Sequence, residues 1–317
     1  MQNTSCPPCC EAGPKLRKRR ILGKELLLKD YICSCDGVHY PPKPEALRVQ
    51  LSICPTDFCA ASCPFCIAGN TRSTARIDLR KLEGVLRRLR DEDVVRGVSI
   101  TGGEPFTDMK LLDETITMVF SILGEHAEVS LNTNGSALHR MHKIRALEKL
   151  DALHISRHHD DDARNSSLFG VPMPGREELK QILHSFPCRD LFVLNCLLLR
   201  DWIGTPEAAR RYLDFAIDVG AGTVAFITPT PVNPFAAAQR VLYTDVLKPD
   251  DPALLFTRGF TDYDICRCQD GVYASDDGRI IEFYGRSTLA QGCSYCRGFV
   301  YGADNHLRAG FGGEIIL

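Results

Sequence analysis

Apolar residues in the middle of the chain alternate between short continuous runs and stretches in which they recur every three or four positions. The short runs predict β-strands, and the spaced stretches predict amphipathic α-helices. The predicted strands are Ala46–Ile53, Val98–Thr101, Glu128–Leu131, Ala152–Ser156, Leu191–Leu199 and Thr223–Ile227. The predicted helices between them are Asp78–Asp91, Thr107–Leu123, Ala137–Leu150, Arg176–Ser185 and Pro206–Val219.

This order predicts an α/β fold in which a parallel sheet is covered by helices. Periodicity alone does not distinguish an open, doubly wound sheet from a barrel. In barrel enzymes the functional residues collect in the loops that follow the C-terminal ends of the strands. We therefore look for chemistry in the loops after the predicted strands.

Composition and charge narrow the class of protein. The chain has 317 residues, of which 44% are hydrophobic and 25% charged, and this balance is typical of a globular protein in water. A formal net charge of -2 argues against a nucleic-acid partner held by bulk electrostatics. The longest apolar run, Leu191–Leu199, is too short to span a bilayer, and the N-terminus lacks the apolar segment of a secretory signal. We expect a cytoplasmic protein with no membrane and no nucleic-acid partner.

Cysteine is unusually frequent, with 15 residues, and a cytoplasmic chain seldom uses thiols for disulfides. Their clustering divides the chain into a leader (1–45), a middle (46–245) and a tail (246–317). The leader thiols are Cys6, Cys9, Cys10, Cys33 and Cys35. They are consistent with a further metal site or with a mobile Pro-rich tail, and we leave their role unassigned.

Three cysteines follow the first predicted strand with the spacing C-x3-C-x2-C: Cys59, Cys63 and Cys66. Three thiolates in one loop are able to bind three irons of a [4Fe–4S] cluster, which leaves the fourth iron open to another ligand. A structural zinc site normally has four protein ligands, often in paired C-x2-C turns. We favour the cluster.

The chain resembles the radical S-adenosylmethionine (radical SAM) superfamily over Ala46–Ile227. The cysteine triplet matches the superfamily signature, including the aromatic Phe65 before its last cysteine. Thr101–Pro105 (TGGEP) is similar to the GGEP element, and Leu131–Gly135 (LNTNG) to the TNG element. The cofactor contacts that the resemblance implies are Phe65, Gly102, Gly103, Glu104, Asn132, Thr133, Asn134 and Ser156.

The resemblance also implies an architecture and a reaction. The expected fold is a partial (β/α)6 TIM-like barrel with a small cysteine-rich C-terminal extension. The expected cofactors are a [4Fe–4S] cluster and S-adenosylmethionine, which is cleaved reductively to a 5′-deoxyadenosyl radical that removes hydrogen from a substrate. A reductant such as flavodoxin or ferredoxin is the implied protein partner.

The tail carries four further cysteines: Cys266, Cys268, Cys293 and Cys296. A strand predicted at Gly278–Tyr284 and a turn at Ser275–Gly278 form a hairpin that brings the two pairs together. Four thiolates suit either zinc or a [4Fe–4S] cluster. Many radical SAM enzymes carry auxiliary clusters in such an extension, so we favour a second cluster over zinc.

Other polar residues near strand ends are weaker candidates. Arg157 and Arg200 are suited to binding a carboxylate of cofactor or substrate. His158 and His159 are candidates for proton transfer, or belong to a surface loop whose charges meet only water. Asn195 interrupts an apolar strand, which indicates a side chain that contacts cofactor or substrate inside the barrel.

The leading functional hypothesis is an oxidoreductase-type radical SAM enzyme of a biosynthetic reaction that acts on a small molecule. A maturase of a ribosomally made peptide is the alternative within the same class. The short leader offers no evident peptide-binding winged helix, which favours the small molecule. A non-catalytic iron–sulfur or zinc scaffold, or a redox sensor, is the alternative from another class, but it leaves the GGEP and TNG elements unexplained.

Overall fold

The computed structural model describes residues 16–29, 48–69, 72–124, 127–186, 191–247, 256–259, 270–275, 282–287, 295–296 and 298–317. Its strands are β1 (Leu16–Ile21), β2 (Lys24–Lys29), β3 (Val49–Ile53), β4 (Val95–Ile100), β5 (Glu128–Thr133), β6 (Ala152–Ser156), β7 (Phe192–Leu197), β8 (Thr223–Thr228), β9 (Phe256–Gly259), β10 (Asp270–Ser275), β11 (Glu282–Ser287), β12 (Gly298–Tyr301) and β13 (Leu307–Ala309). Its α-helices are α1 (Leu79–Asp91), α2 (Met109–Leu123), α3 (Asp162–Phe169), α4 (Arg176–His184), α5 (Pro206–Val219), α6 (Pro234–Gln239) and α7 (Tyr243–Val246).

One large sheet organises the fold, with the strand order β13-β12-β3-β4-β5-β6-β7-β8-β11-β10-β9. The strands from β12 to β11 are parallel, and β3 to β8 lie side by side in chain order. The predicted α/β fold is confirmed, and a partial TIM-like barrel fits the arrangement. Because these strands are parallel, their carboxyl ends share one edge of the sheet, which we call the top edge.

The C-terminal part of the chain extends the sheet on both sides. β11 pairs with β8, and β12 pairs with β3 on the opposite flank. β10 and β11 are antiparallel neighbours, so the predicted hairpin is present. The predicted strand at Gly278–Tyr284 overlaps β11 from Glu282 onward, and residues 276–281 lie outside the described residues.

Helix boundaries follow the capping residues. Asp78 accepts hydrogen bonds from the backbone N–H groups of Arg80 and Lys81 and thereby starts α1, whose buried residues are Leu82, Leu86 and Leu89. Thr205 caps α5, and Pro206 occupies its first turn. None of the helices in the described ranges combines the length and apolar character needed to cross a bilayer.

The α-helix predicted for Ala137–Leu150 is wrong. This segment forms two 3₁₀ helices, Leu138–Lys143 and Arg145–Lys149, separated by the extended Ile144. Apart from Ala146, its buried residues recur every third position: Leu138, Met141, Ile144, Leu147 and Leu150. A repeat of three matches the three residues per turn of a 3₁₀ helix, whereas an α-helix would rotate some of them toward solvent.

A helix that the pattern did not predict, α3, follows β6 inside the polar run that begins at Ser156. Asp161 caps its N-terminus, and Gly170 ends it in the left-handed conformation with φ of +68°. Its buried side chains are Asn165, Leu168 and Phe169, too few for a clear amphipathic signal. The helix leads the chain back toward the loop after β3.

The two faces of the sheet differ in character. The outer face, which packs on the helices, places Leu51, Val98, Leu131 and Leu153 in the main hydrophobic core. The inner face is the side turned away from the helices, and on β3 to β6 it presents mainly polar residues. These inner-face polar residues are Gln50, Ser52, Ser99, Ser130, Asn132, His154 and Ser156.

The described part of the predicted leader forms the hairpin β1–β2, which includes the basic residues from Arg17 to Arg20. Ile21 and Leu28 are fully or almost fully buried in the main core. The backbone N–H of Cys296 donates to the carbonyl of Leu27 at 2.7 Å, so the hairpin is joined to the C-terminal part of the chain. Residues 16–29 are therefore an integral part of the folded unit.

Candidate functional site

The predicted cysteine triplet lies in the loop that follows β3 at the top edge of the sheet. Cys63 is buried, whereas Cys59 and Cys66 are partly exposed. The Sγ–H groups are free thiols, and the backbone N–H of Cys66 donates to the carbonyl of Cys63 at 3.1 Å. One loop thus carries all three cysteines, and a turn joins the last two.

Several neighbouring segments hold this loop in place. The guanidinium of Arg72 donates to the carbonyl of Cys59 at 2.9 Å, and the side-chain amide of Asn233 donates to the carbonyl of Pro64 at 3.0 Å. The N–H of Ser62 donates to the carbonyl of Phe169, at the end of α3, at 2.8 Å. The loops after β6 and β8 therefore both brace the cysteine loop.

The environment of the cysteines disfavours free thiolates. Burial raises the pKa of Cys59 and raises the pKa of Cys63 to about 12. Negative charge on the neighbouring cysteines raises the pKa of Cys63 further, which shows that the thiols are electrostatically coupled. Three thiolates in this position require a compensating positive charge, and iron ions supply one.

These residues fit a [4Fe–4S] cluster. In such a cluster each cysteine binds a different iron, and neighbouring N–H groups stabilise the sulfur charge. Asn134 provides a donor of that kind, because its Nδ2 lies 3.5 Å from the Sγ of Cys59. Within the described ranges, no set of three or more His, Cys, Asp and Glu side chains converges on a single-ion site.

The GGEP element lies against the chain that leads into the cysteine loop. The N–H of Gly103 donates to the carbonyl of Thr56 at 2.9 Å, and the N–H of Glu104 donates to that of Phe58 at 2.7 Å. Gly102 has φ of +115°, and a Cβ on Gly103 would lie 2.3 Å from the carbonyl oxygen of Phe58. Glycine is required at both positions, the first for conformation and the second for space.

Glu104 is buried and binds within the protein. Its Oε1 accepts from the hydroxyl of Thr133 at 2.7 Å and from the N–H of Phe106 at 3.0 Å. Its Oε2 accepts from the N–H of Asn134 at 2.6 Å, and burial raises the pKa of the carboxyl group. The predicted cofactor contact at Glu104 is therefore a bridge between the loops after β4 and β5.

The other predicted residues of the TNG element lie on either side of this bridge. Thr133 and Asn134 are joined to Glu104, while Asn132 belongs to the inner face. The amide of Asn132 donates to the hydroxyl of Ser99 at 2.9 Å. The loop after β5 thus contacts the cysteine loop above and the inner face of the sheet below.

All three guanidinium nitrogens of Arg157 donate to protein groups. Its Nε donates to the carbonyl of His159, its Nη1 to that of Pro174, and its Nη2 to the carboxylate of Asp162. The guanidinium also stacks over the ring of Phe215 at 4.7 Å and is almost fully buried. The structure thus corrects the predicted carboxylate site, because Arg157 anchors the loop after β6.

His158 is a buried, neutral residue in an aromatic layer beneath the cysteine loop. Its ring stacks on Phe169 with 5.1 Å between centroids and meets the edge of Phe65 at 5.0 Å. The N–H of Leu197 donates to its Nδ1 at 3.2 Å, and burial lowers its pKa to about 3. A group with this pKa does not carry protons near neutral pH, so the predicted proton-transfer role of His158 is not supported. Phe65 likewise packs on protein rings.

His159 is also buried rather than part of an exposed loop. Its Nδ1 accepts from the N–H of Asp161 at 2.9 Å, and burial lowers its pKa. Its Nε2 is buried and has no hydrogen-bond partner among the described residues. The surface-loop alternative is therefore wrong for both histidines of this pair.

The inner face holds a histidine that the sequence reasoning missed. His154 faces the same side as Ser156, and its Nδ1 donates to the Oδ1 of Asn195 at 3.2 Å. Asn195 is buried on the inner face, as predicted, and pairs in register with Ser156. Alternation along β6 was the signal that could have identified His154. Arg200 is exposed beyond the end of β7.

Most of the predicted tail site lies outside the described residues, including Cys266, Cys268 and Cys293. The same is true of the leader cysteines and of Cys188. Cys296 is described: its thiol donates to the carbonyl of Gly298 at 3.4 Å, and burial raises its pKa. Cys54 and Cys196 are buried thiols.

Comparison with solved structures identifies similar folds. The chain is similar to Streptococcus suis SuiB bound to S-adenosylmethionine, with a TM-score of 0.54, 14% identity, and coverage of 84% of this chain and 60% of SuiB. A second SuiB structure, bound to precursor peptide SuiA, gives a TM-score of 0.48, 19% identity, and coverage of 61% and 42%. The hydrogenase maturase HydG from Carboxydothermus hydrogenoformans gives 0.41, 14% identity, and coverage of 59% and 46%. The chain thus spans less than two thirds of the length of these proteins.

Comparison with sequence families identifies the central domain. No curated protein sequence matches the chain. Residues 53–186 match the family model described as the radical SAM superfamily, and this range contains the cysteine loop, the GGEP element and the TNG element. Residues 53–186 therefore form a radical SAM domain, the enzyme domain of that superfamily.

Proposed function

We propose that this protein cleaves S-adenosylmethionine reductively and uses the product to remove a hydrogen atom from a small organic molecule. Cys59, Cys63 and Cys66 would hold the [4Fe–4S] cluster. When bound, the cluster would supply the electron that converts S-adenosylmethionine into methionine and a 5′-deoxyadenosyl radical. The observation that carries the proposal is the contact between Asn134 and Cys59, which joins the TNG element to the cysteine loop.

The residues around this contact have distinct roles in the proposal. Gly102 and Gly103 bring bare backbone to the top edge beside the cysteine loop, where it is suited to bind the amino group of the methionine moiety. Glu104 holds the GGEP and TNG elements at a fixed separation through its two carboxylate oxygens. The packed ring of Phe65 covers the loop from below and excludes water from it.

The inner face supports the choice of a small, uncharged substrate. Ser52, Ser99 and Ser130 are aligned in register across three neighbouring strands, and Ser156 pairs with Asn195. Among the residues of β3 to β8 that face inward, Glu128 is charged. It is exposed and lies at the start of β5, opposite the top edge. Val193, Ala225 and Ile227 form an apolar patch on the same face. An inner face of this kind suits a ligand that carries hydroxyl or amide groups on one side and apolar atoms on the other.

A second metal site completes the proposal. Cys266, Cys268, Cys293 and Cys296 would share it, and an auxiliary [4Fe–4S] cluster is favoured over zinc on the spacing of the four residues. Flavodoxin or ferredoxin is the class of reductant proposed, and the cytoplasm is the proposed location. The reaction itself requires anaerobic handling because oxygen destroys exposed clusters.

The test is production of 5′-deoxyadenosine by protein purified without oxygen, reconstituted with iron and sulfide, and mixed with dithionite and S-adenosylmethionine. We expect product from the wild-type protein and none from a Cys59→Ala, Cys63→Ala, Cys66→Ala variant. About four irons remaining in that variant would support a second cluster, whereas bound zinc would make the tail site structural. Absence of any cluster from the wild-type protein would contradict the proposal.

The same assay distinguishes the substrate classes. The dialysable fraction of a cell extract should increase the yield of 5′-deoxyadenosine if the substrate is a small molecule. An increase confined to the retained, protease-sensitive fraction would instead indicate a peptide, the kind of ligand that SuiA is for SuiB. Product formation by the wild-type protein and its loss in the cysteine variant would exclude a non-catalytic scaffold.

A further inference from the structure

We infer that Asn134 is a positioning residue whose side-chain amide donates a hydrogen bond to the Cys59 thiolate and thereby raises the reduction potential of the cluster. This inference rests on the proposed function, because it concerns the cluster that Cys59 would help to hold. It adds a property that the family motif alone does not assign, namely control of how easily the site accepts an electron.

The geometry fixes which atom of Asn134 faces the sulfur. The Oδ1 of Asn134 accepts a hydrogen bond from the N–H of Ser136 at 2.8 Å. Since the oxygen is engaged on that side, the Nδ2 donor is the atom turned toward the Sγ of Cys59, at 3.5 Å. The amide therefore presents its positive end to the sulfur.

The backbone of Asn134 is also held, so the donor cannot easily move away. Its N–H donates to the Oε2 of Glu104 at 2.6 Å, and Glu104 is buried and bound to Thr133 through its other oxygen. On the opposite side, the guanidinium of Arg72 fixes the carbonyl of Cys59 at 2.9 Å. Both partners of the contact are thus anchored independently by other segments of the chain.

The direction of the effect follows from electrostatics. Reduction adds one electron, so the reduced cluster and its thiolates carry more negative charge than the oxidised form. An N–H dipole aimed at a ligand sulfur stabilises the reduced form more strongly and raises the potential. The loop is partly buried, and a hydrogen bond is electrostatically stronger there than in water.

Two variants and one matched control test the inference. Asn134→Asp keeps the acceptor for Ser136 but replaces the donor by a negative oxygen, and Asn134→Leu removes the donor without adding charge. Asn233→Asp is the control, because Asn233 also donates to the cysteine loop, but to the carbonyl of Pro64 rather than to sulfur. Its Oδ1 caps α6 by accepting from the N–H of Ala236, a bond that aspartate retains.

The measurement is a potentiometric titration of the anaerobically reconstituted protein without S-adenosylmethionine, followed by electron paramagnetic resonance of the reduced cluster. Because a cluster in the tail would contribute a second signal, all variants are made with Cys266, Cys268, Cys293 and Cys296 replaced by serine. We compare the variants at the midpoint potential of the protein that retains Asn134. At that potential, we expect Asn134→Leu to lower the ratio of reduced to oxidised cluster about tenfold, which equals 59 mV for one electron. Asn134→Asp should lower it further. Asn233→Asp, whose new charge faces the carbonyl of Pro64 rather than a sulfur, should lower it by less than Asn134→Asp does.

The outcomes separate this inference from the proposed function. The parent protein carries only the four cysteine-to-serine replacements. Potentials equal to that of the parent in both Asn134 variants, with the same iron content, would overturn the inference and leave the proposed function standing. Equal shifts in Asn134→Asp and Asn233→Asp would overturn it as well, since added charge alone would then explain them. Loss of iron from both Asn134 variants would show that Asn134 retains the cluster rather than sets its potential. Failure of the parent to bind any cluster would overturn the proposed function and the inference together.

Discussion

The Oε1 of Glu104, in the loop after β4, lies 2.7 Å from the hydroxyl of Thr133, the last residue of β5. The contact is fully buried and joins the GGEP element to the TNG element. Both elements are recognised in sequence as separate motifs, but in the folded chain they form one hydrogen-bonded unit. A change in either motif is therefore transmitted to the other.

Glu104→Gln should lower the free energy of unfolding by about 1–3 kcal/mol. Glutamine offers an oxygen to one side of the bridge but an NH₂ group to the other, so at least one of the donors from Thr133, Phe106 and Asn134 loses its acceptor. Denaturant unfolding of the metal-free protein measures the effect. Glu83→Gln is the control: it lies in an exposed ion pair with Arg87, and a change within about 0.5 kcal/mol is expected. Equal effects of the two substitutions would contradict the bridging role.

Gly103→Ala should reduce iron incorporation and S-adenosylmethionine binding. The new Cβ would approach the carbonyl oxygen of Phe58 to 2.3 Å and push the chain that enters the cysteine loop. Gly84→Ala is the matched control, because Gly84 lies inside α1 with open space around it. There alanine should stabilise the protein by about 0.5–1 kcal/mol through its higher helix propensity. The measurements are the iron content of the reconstituted protein and the equilibrium binding of S-adenosylmethionine. Iron content and binding equal to those of the wild type in Gly103→Ala would refute the prediction.

Arg157→Gln should destabilise the protein by about 1–3 kcal/mol, because it leaves the carbonyl groups of His159 and Pro174 without their donor and breaks the ion pair with the half-exposed Asp162. Arg200→Gln, at an exposed position, should change the free energy of unfolding by less than about 0.5 kcal/mol. Thermal and denaturant unfolding compare the two. If Arg157→Gln proved as stable as the wild type but failed to bind S-adenosylmethionine, the original interpretation of Arg157 as a carboxylate ligand would be restored.

His158 should make the protein less stable in mild acid. Its pKa is lowered from 6.5 to about 3 in the folded state by burial, so between these values the unfolded chain binds the extra proton. Stability from this residue is fully present above pH 6.5 and falls as the pH drops toward 3, at up to about 1.4 kcal/mol per pH unit. His158→Phe keeps the stacking with Phe65 and Phe169 but cannot titrate.

The measurement is the free energy of unfolding of the metal-free protein as a function of pH in reducing buffer. The difference between wild type and His158→Phe should shift in favour of the variant as the pH falls. Parallel curves for the two proteins would mean that His158 is already protonated or is solvated in the folded state.

Leu28→Ala should cost about 2–5 kcal/mol of stability, as expected for a leucine that is 1% exposed in the main core. Leu27→Ala, at the partly exposed neighbouring position on β2, should cost clearly less. Its backbone carbonyl, which accepts from Cys296, is retained in that variant. Denaturant unfolding of both variants tests whether the hairpin β1–β2 is part of the cooperative unit. A neutral Leu28→Ala would indicate that it is not.

The strands and most helices were predictable because the apolar residues within each of them repeat with one regular spacing, and because the helix ends carry recognisable capping residues. The 3₁₀ segment from Leu138 to Lys149 was not, because a three-residue repeat of apolar positions also satisfies a loose reading of α-helical spacing. Helix α3 was not predicted because it is stabilised by the packing of Phe169 beneath the cysteine loop. This is a tertiary contact, which the local pattern of apolar residues does not reveal.

The residues of the site likewise divide into those that the sequence located and those whose roles required the structure. Cysteine spacing and the two glycine-containing motifs located the top edge correctly, since they are local in sequence. The roles of Arg157 and His158 depended on which side of the sheet their side chains take, and on partners such as Pro174 and Leu197 that are remote in sequence. His154 was missed because one histidine within an apolar strand resembles a core residue until the register with Asn195 is known.

The alternation along β6 has a consequence for how this barrel can change. Leu153 and Ile155 contribute to the hydrophobic core, whereas the intervening His154 and the following Ser156 face the other way. If the inner face binds the substrate as proposed, substitutions at the two even-numbered positions would change the ligand that fits there, while the odd-numbered residues would keep their packing in the core. Natural divergence or laboratory evolution would then alter substrate choice on one side of a strand without disturbing the scaffold on its other side.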